Sequence, residues 1–158
     1  MLKSGLITGA IAIFLAAGFS LISPICVPCI ALLLGAGAGY LNGVFDRPSA
    51  QNSALKAGAG SGAIGGGGAL VGHLIGGAIN AVVVGPESVR QMLEQFGLSA
   101  SDDPVVYYGG VFGGACCLGL FEIVLMAGLG ALGGLLWWQM TGKNMAGGAP
   151  SPPPMPGV

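Results

Sequence analysis

Charged residues are confined to short gaps between long apolar runs, and this arrangement decides what the chain can fold into. Only 7% of its 158 residues are charged, whereas a water-soluble domain carries about 25%. The apolar runs cover residues 6–22, 25–44, 59–84 and 105–139. A helix needs about 20 mostly apolar residues to cross a bilayer. The sequence therefore predicts an all-α, integral membrane four-helix bundle.

The last apolar run is too long for an ordinary single crossing. As one straight helix its 35 residues would extend over about 52 Å. We expect one crossing with an N-terminal extension, bent near Gly109-Gly110 or Gly113-Gly114. The four spans are placed at about 5–23, 25–44, 59–84 and 108–138, within a membrane domain of residues 1–142.

Two further segments are predicted outside the spans. Residues 86–97 combine an N-terminal Pro86 with an apolar stripe opposite a charged face, which is typical of a short interfacial helix. Residues 143–158 form a cytoplasmic tail rich in proline and glycine, a composition that cannot build a packed core.

The few charges predict the orientation and exclude one class of partner. Four spans place both termini and the middle loop on one side, with Lys3, Arg47, Lys56 and Lys143, and leave Arg90 on the other. The positive-inside rule then predicts a multi-pass protein of the cell membrane with both termini cytoplasmic. A net charge of −1 without any basic run excludes nucleic acid as a partner.

Glycine is the most informative residue type within the spans, with 32 copies. Glycines four residues apart let transmembrane helices approach closely. The predicted packing residues of this glycine zipper are Gly35, Gly39, Gly43, Gly68, Gly72, Gly76, Gly130 and Gly134, and Gly110 with Gly114 has the same spacing. The pattern fits packing within one bundle, self-association, and docking to another membrane protein.

Two ionisable residues lie inside the predicted spans, where such residues are costly. His73 is 17 residues from Lys56, and Glu122 is 15 from Trp137, so both are at about the same depth, roughly 22–25 Å from the cytoplasmic side. They are therefore expected to meet. One hypothesis is a structural hydrogen bond, and the other is a pathway for protons or small ions.

The four cysteines form two close pairs, Cys26 with Cys29 and Cys116 with Cys117. A Cys-x-x-Cys at a helix N-terminus favours thiol exchange, so Cys26 and Cys29 are candidate redox residues. The alternatives are a structural disulfide and plain apolar packing. A single Cys-x-x-Cys with no histidine near it in sequence predicts no metal site.

Two stretches resemble small bacterial four-span, glycine-rich membrane proteins of uncharacterised activity. They are residues 32–40, Leu-Leu-Leu-Gly-Ala-Gly-Ala-Gly-Tyr, and the glycine–alanine run 57–77. The likeness covers residues 3–138, and it implies a fold without an activity.

The start of the second span also resembles the bacterial disulfide-forming quinone oxidoreductases, in which a Cys-x-x-Cys lies at the outer end of span two. Cys26 and Cys29 match that element, and the resemblance implies quinone as a cofactor. The family's second cysteine pair has no counterpart in residues 85–104, and the arginine expected after the Cys-x-x-Cys is missing.

The sequence as a whole favours a non-catalytic membrane protein without a cofactor or catalytic residues. Its expected partners are the lipid bilayer and either further copies of itself or another membrane subunit. The alternative hypothesis is a thiol–disulfide oxidoreductase using Cys26 and Cys29 with quinone, and the third is a pathway through His73 and Glu122.

Overall fold

Helices account for almost all of the residues described by the computed structural model, which are 2–22, 27–83, 85–95 and 103–146. No strand occurs within these ranges. Four helices are long and apolar enough to cross a membrane, over Leu2–Phe19, Cys29–Asp46, Gln51–Val83 and Val105–Met145. The prediction of an all-α protein with four spans is confirmed.

Within the described ranges, six α-helices and one π-helical turn follow one another. They are α1 (Leu2–Ile22), α2 (Val27–Asp46), α3 (Gln51–Val83), α4 (Gly85–Gln95), α5 (Pro104–Trp137), the π-helical turn (Trp138–Gly142) and α6 (Lys143–Ala146). The long helices alternate in direction, so that α1 runs parallel to α3 and α2 parallel to α5. We call the end with Lys3, Arg47 and Lys56 the inner end, and the end with α4 the outer end.

Local chemistry explains several helix boundaries. Arg47 follows α2 with a φ of 43°, a left-handed conformation that ends a helix. Gly85, the first residue of α4, has a φ of 70°, a left-handed conformation that glycine adopts without strain. The Asp103 side chain caps α5 by accepting a hydrogen bond of 2.9 Å from the Val105 backbone amide, and a proline occupies the first turn, where no N–H is needed.

Several boundaries differ from the predicted ones. The third helix begins at Gln51, eight residues before the expected span, because the polar segment before residue 59 continues the same helix. The last helix runs without interruption through the glycine pairs at 109–110 and 113–114. The predicted tail begins with helical residues, and its part from residue 147 onwards lies outside the described residues, as do 23–26 and 96–102.

Contacts between the four long helices are made largely at glycine. A methyl group on Gly39 in α2 would overlap the carbonyl oxygen of Gly130 in α5, and one on Gly68 in α3 would overlap that of Gly9 in α1. On the other side of α3, a methyl group on Gly62 would overlap the Met126 carbonyl oxygen. The backbones of α1, α2 and α5 therefore lie directly against their neighbours.

The distribution of large and small side chains is the reverse of that in a water-soluble protein. The buried cluster consists mainly of alanines, namely Ala12, Ala16, Ala31 and Ala69, together with Met126. Large side chains point outward, and Phe14 and Leu33 are each 78% exposed. In lipid an outward-facing Leu or Phe costs nothing, while small residues let helices pack closely. The arrangement fits a bundle surrounded by hydrocarbon.

Candidate functional site

A buried pair of ionisable side chains lies between α3 and α5. His73 Nε2 is 2.9 Å from Glu122 Oε2, a normal hydrogen-bond length. The two residues are only 6% and 2% exposed. The side chains that the sequence places at similar depth thus meet in the interior of the bundle.

Glycines on both sides of the pair hold α3 and α5 close enough for this direct contact. A methyl group on Gly66 would lie 2.6 Å from the Ile123 Cα atom, and one on Gly119 would lie 3.0 Å from the Leu70 Cα atom. Real Cβ atoms need more room than this. The glycines therefore bring the two helices close enough for the His73 and Glu122 side chains to form a direct hydrogen bond.

The surroundings of the pair are almost entirely apolar. Glu122 lines a small cavity between the helices, whose other lining residues are Ala12, Leu15, Ala16, Ile30, Ala31, Leu34, Ala69 and Met126. The space in this cavity that the centre of a water molecule can occupy is about 10 Å³. This is close to the minimum that holds one water. In such a low-dielectric medium, opposite charges and hydrogen-bonded groups attract each other far more strongly than in water.

Four more polar residues are buried nearer the inner end, and the sequence reasoning missed all of them. Ser4, Thr8, Asn42 and Ser61 are each at most 3% exposed. Thr8 donates to the Ser4 backbone carbonyl at 2.6 Å, and Ser61 donates to the Ala38 carbonyl at 3.0 Å. Ser61 could have been found from its spacing, since it lies on the row of small residues that leads to His73.

Three of the four cysteines lie among the described residues. Cys29, Cys116 and Cys117 are free thiols and exposed on the bundle surface. Cys26, the other half of the candidate Cys-x-x-Cys, lies outside the described residues. The same described ranges hold no group of three or more side chains suited to binding a metal ion.

The predicted packing glycines divide into those with close neighbours and those without. Most lie within contact of another helix: Gly35, Gly39, Gly43, Gly68, Gly72, Gly130 and Gly134. Gly76 is buried in α3. Gly110 and Gly114, by contrast, have nothing within 4 Å of an added Cβ.

Comparison with known proteins supplies no family for this bundle. No protein-family model, curated protein or solved structure matches the chain. Any function therefore has to be argued from the geometry of the bundle.

Proposed function

We propose that this chain is a non-catalytic, self-associating structural component of a membrane. Its four spans form a glycine-zippered unit, and a second glycine surface on α5 packs against another copy. The observation that carries this proposal is that glycine pairs with the same four-residue spacing lie in two different environments. Some face a neighbouring backbone inside the bundle, and others have no neighbour among the residues that the structure describes.

The inner glycines support the first half of the proposal. Substitutions by alanine at Gly39, Gly62 or Gly68 would each overlap a backbone carbonyl oxygen. Backbones that pack this closely leave little room for a substrate path between the helices. This favours a structural role over transport of anything larger than a water molecule.

The outer glycines support the second half. Gly109, Gly110, Gly113 and Gly114 have nothing within 4 Å of an added Cβ, and all four are exposed. Glycine is a poor choice for a helix position that only faces lipid, because it costs about 1 kcal/mol relative to alanine in a helix interior. Two glycine pairs four residues apart instead fit the close approach of another helix.

The position of this surface on the helix supports an external partner. At 100° per residue, the four glycines span an arc of about 140° with Cys117 near its middle, and we call this arc the outer glycine face. Val111 and Ala115, which lie beside Gly77 of α3, are on the opposite side of the helix. The outer glycine face therefore points away from the rest of the bundle.

Counting subunits in a bilayer tests the proposal. Singly labelled protein, reconstituted at low protein-to-lipid ratio, should show two or more photobleaching steps per spot. Gly113→Leu should reduce this to one step because a bulky side chain blocks the outer glycine face. Gly18→Leu is the matched control, since Gly18 is exposed on a different helix, α1, with nothing within 4 Å of an added Cβ.

Single steps for the wild type would rule out self-association under these conditions. Equal losses in both variants would show that association does not use the outer glycine face.

The orientation of the bundle in the membrane is a separate part of the proposal. We infer cytoplasmic termini from the basic residues at the inner end. In a cysteine-free background, a membrane-impermeant thiol reagent added to intact cells should label Gln91→Cys but not Asn144→Cys. Both positions are exposed, so the reverse labelling pattern would invert the orientation.

A further inference from the structure

One face of α3 connects the inner part of the bundle with the buried pair. Ser61, Gly65, Ala69 and His73 are spaced four residues apart, and all four are buried. Each step along this row rises about 6 Å, so the row covers about 18 Å. It starts with a hydroxyl, ends with an imidazole and has only small residues between them.

The space opposite the row is filled by one flexible side chain. An added Cβ at Gly65 would lie 3.0 Å from Met126 Cε and 3.6 Å from Thr8 Oγ1. One turn further out, Ala69 lines the cavity together with Met126 and Glu122. The fully buried Met126 thus stands between the polar residues of the inner half and the cavity beside Glu122.

The inner end of this line holds a buried amide whose nitrogen has no hydrogen-bond partner among the described residues. Asn42 is 0% exposed, and its Oδ1 accepts a hydrogen bond of 3.2 Å from Ser4 Oγ. Its Nδ2 has no partner among the described residues. Buried donors are nearly always satisfied, often by an ordered water. Asn42 lies only four residues before the end of α2, where water is close.

We propose that the His73–Glu122 pair is a proton-binding site that exchanges protons with the inner end of the bundle, and that Met126 is the gate on this route. Rotation of the Met126 side chain, which has three flexible bonds, would join the cavity to the space beside Thr8 and Ser61 and admit water. This inference goes beyond the structural role proposed above, and neither depends on the other.

The proton balance of the site is simple. Uptake of one proton from hydronium by either partner raises the charge of the pair by one unit and releases a water molecule. The reverse step returns the proton to water at the inner end.

Among the described residues, no charged group other than Glu122 lines the cavity. The residues contributed there by α1, α2, α3 and α5, apart from Glu122 itself, are all uncharged: Ala12, Leu15 and Ala16; Ile30, Ala31 and Leu34; Ala69; and Met126. On the outer side of His73, Gly77 faces Val111 and Ala115 at 3.7 and 3.8 Å from an added Cβ. The contact between α3 and α5 next to Gly77 is therefore apolar.

The single histidine of the chain makes the site directly observable. ¹⁵N-histidine labelling reports on His73 alone, provided that the purification tag contains no histidine. We would measure exchange of its ring proton with D₂O by NMR, with the protein in lipid bilayers. Met126→Ala should speed exchange by about tenfold or more, because opening the route becomes easier.

Two control variants distinguish an effect on the Met126 gate from a general loosening of the helix packing. Val111→Ala removes side-chain volume on the outer side of the pair. Ile123→Ala removes volume at the α3–α5 contact beside Gly66, away from the Ser61–His73 row. Both should change exchange much less than Met126→Ala does.

An unchanged rate in Met126→Ala would overturn the proposal, as would equal acceleration in all three variants. Acceleration by Val111→Ala alone would place the route on the outer side instead. As a separate check, Glu122→Gln should change the pH profile of the His73 ¹⁵N shifts. An unaltered profile would mean that the two residues do not form one site.

Discussion

The two halves of α5 carry glycine pairs with the same spacing but in opposite surroundings. In the inner half, methyl groups on Gly130, Gly133 and Gly134 would overlap the backbone carbonyl oxygens of Gly58, Ala36 and Ala54. In the outer half, nothing lies within 4 Å of an added Cβ on Gly110, Gly113 or Gly114. One sequence signature thus marks both a contact inside the bundle and a surface without a neighbour.

The position of each pair around the axis of α5 explains the difference. Gly130 lies 20 residues after Gly110, so the two are about 200° apart at 100° per residue. Gly130 faces both neighbouring helices, because it contacts Gly39 of α2 and Gly58 of α3. Gly110 and Gly114 lie on the opposite side of the helix. One spacing therefore marks two opposite sides of α5.

The largest effect is expected from placing the same substitution in each half. Gly133→Ala should lower the free energy of unfolding by about 1–3 kcal/mol or more, because the methyl group overlaps the Ala36 carbonyl. Gly113→Ala should leave stability unchanged or raise it by up to about 1 kcal/mol, through helix propensity. Unfolding in mixed detergent micelles measures both. Equal losses would remove the distinction between the two halves.

A medium effect is expected at Glu122, where the two halves of α5 meet. Removing either partner of the pair, as in His73→Leu or Glu122→Leu, should cost about 1–3 kcal/mol, because the other stays buried and loses the hydrogen bond between them. The double variant should cost less than the two single variants added together. Strict additivity in the same unfolding experiment would contradict the hydrogen bond.

The smallest effect is expected from the cysteines at the start of α2. Cys26→Ala with Cys29→Ala should change stability by less than about 0.5 kcal/mol, because Cys29 is an exposed thiol, and subunit number should stay the same. The oxidoreductase hypothesis predicts something different. If the wild type oxidises a dithiol with quinone as acceptor and the double variant does not, the protein is an enzyme.

The sequence predicts the helices well because the membrane alone determines how long each apolar run must be and where charged residues can lie. It also places His73 and Glu122 at a common depth, since depth follows from counting residues along a helix. It cannot say which glycines face a neighbour, because Gly110 with Gly114 and Gly130 with Gly134 have identical spacing. That depends on the side of α5 against which each neighbouring helix packs.

The sequence does not predict the buried polar residues nearer the inner end, for a related reason. Ser61 and Asn42 sit in glycine-rich stretches, where a single small polar residue is compatible with either the interior or the lipid surface. The role of Met126 is equally invisible in sequence, since methionine suits any apolar position. Only the contacts across α1, α3 and α5 show that it separates Thr8 from the cavity beside Glu122.

Disulfide trapping tests the central claim, that the outer glycine face of α5 packs against a second copy, most directly. Two variants with one cysteine each would be compared in dilute bilayers with an added oxidant, one retaining only Cys117 and the other carrying only Gly18→Cys. Cys117 lies within the outer glycine face, whereas Gly18 is exposed on α1. We predict rapid formation of a covalent dimer through Cys117 and little through position 18. Equal rates at the two positions, or no dimer through Cys117, would contradict the claim.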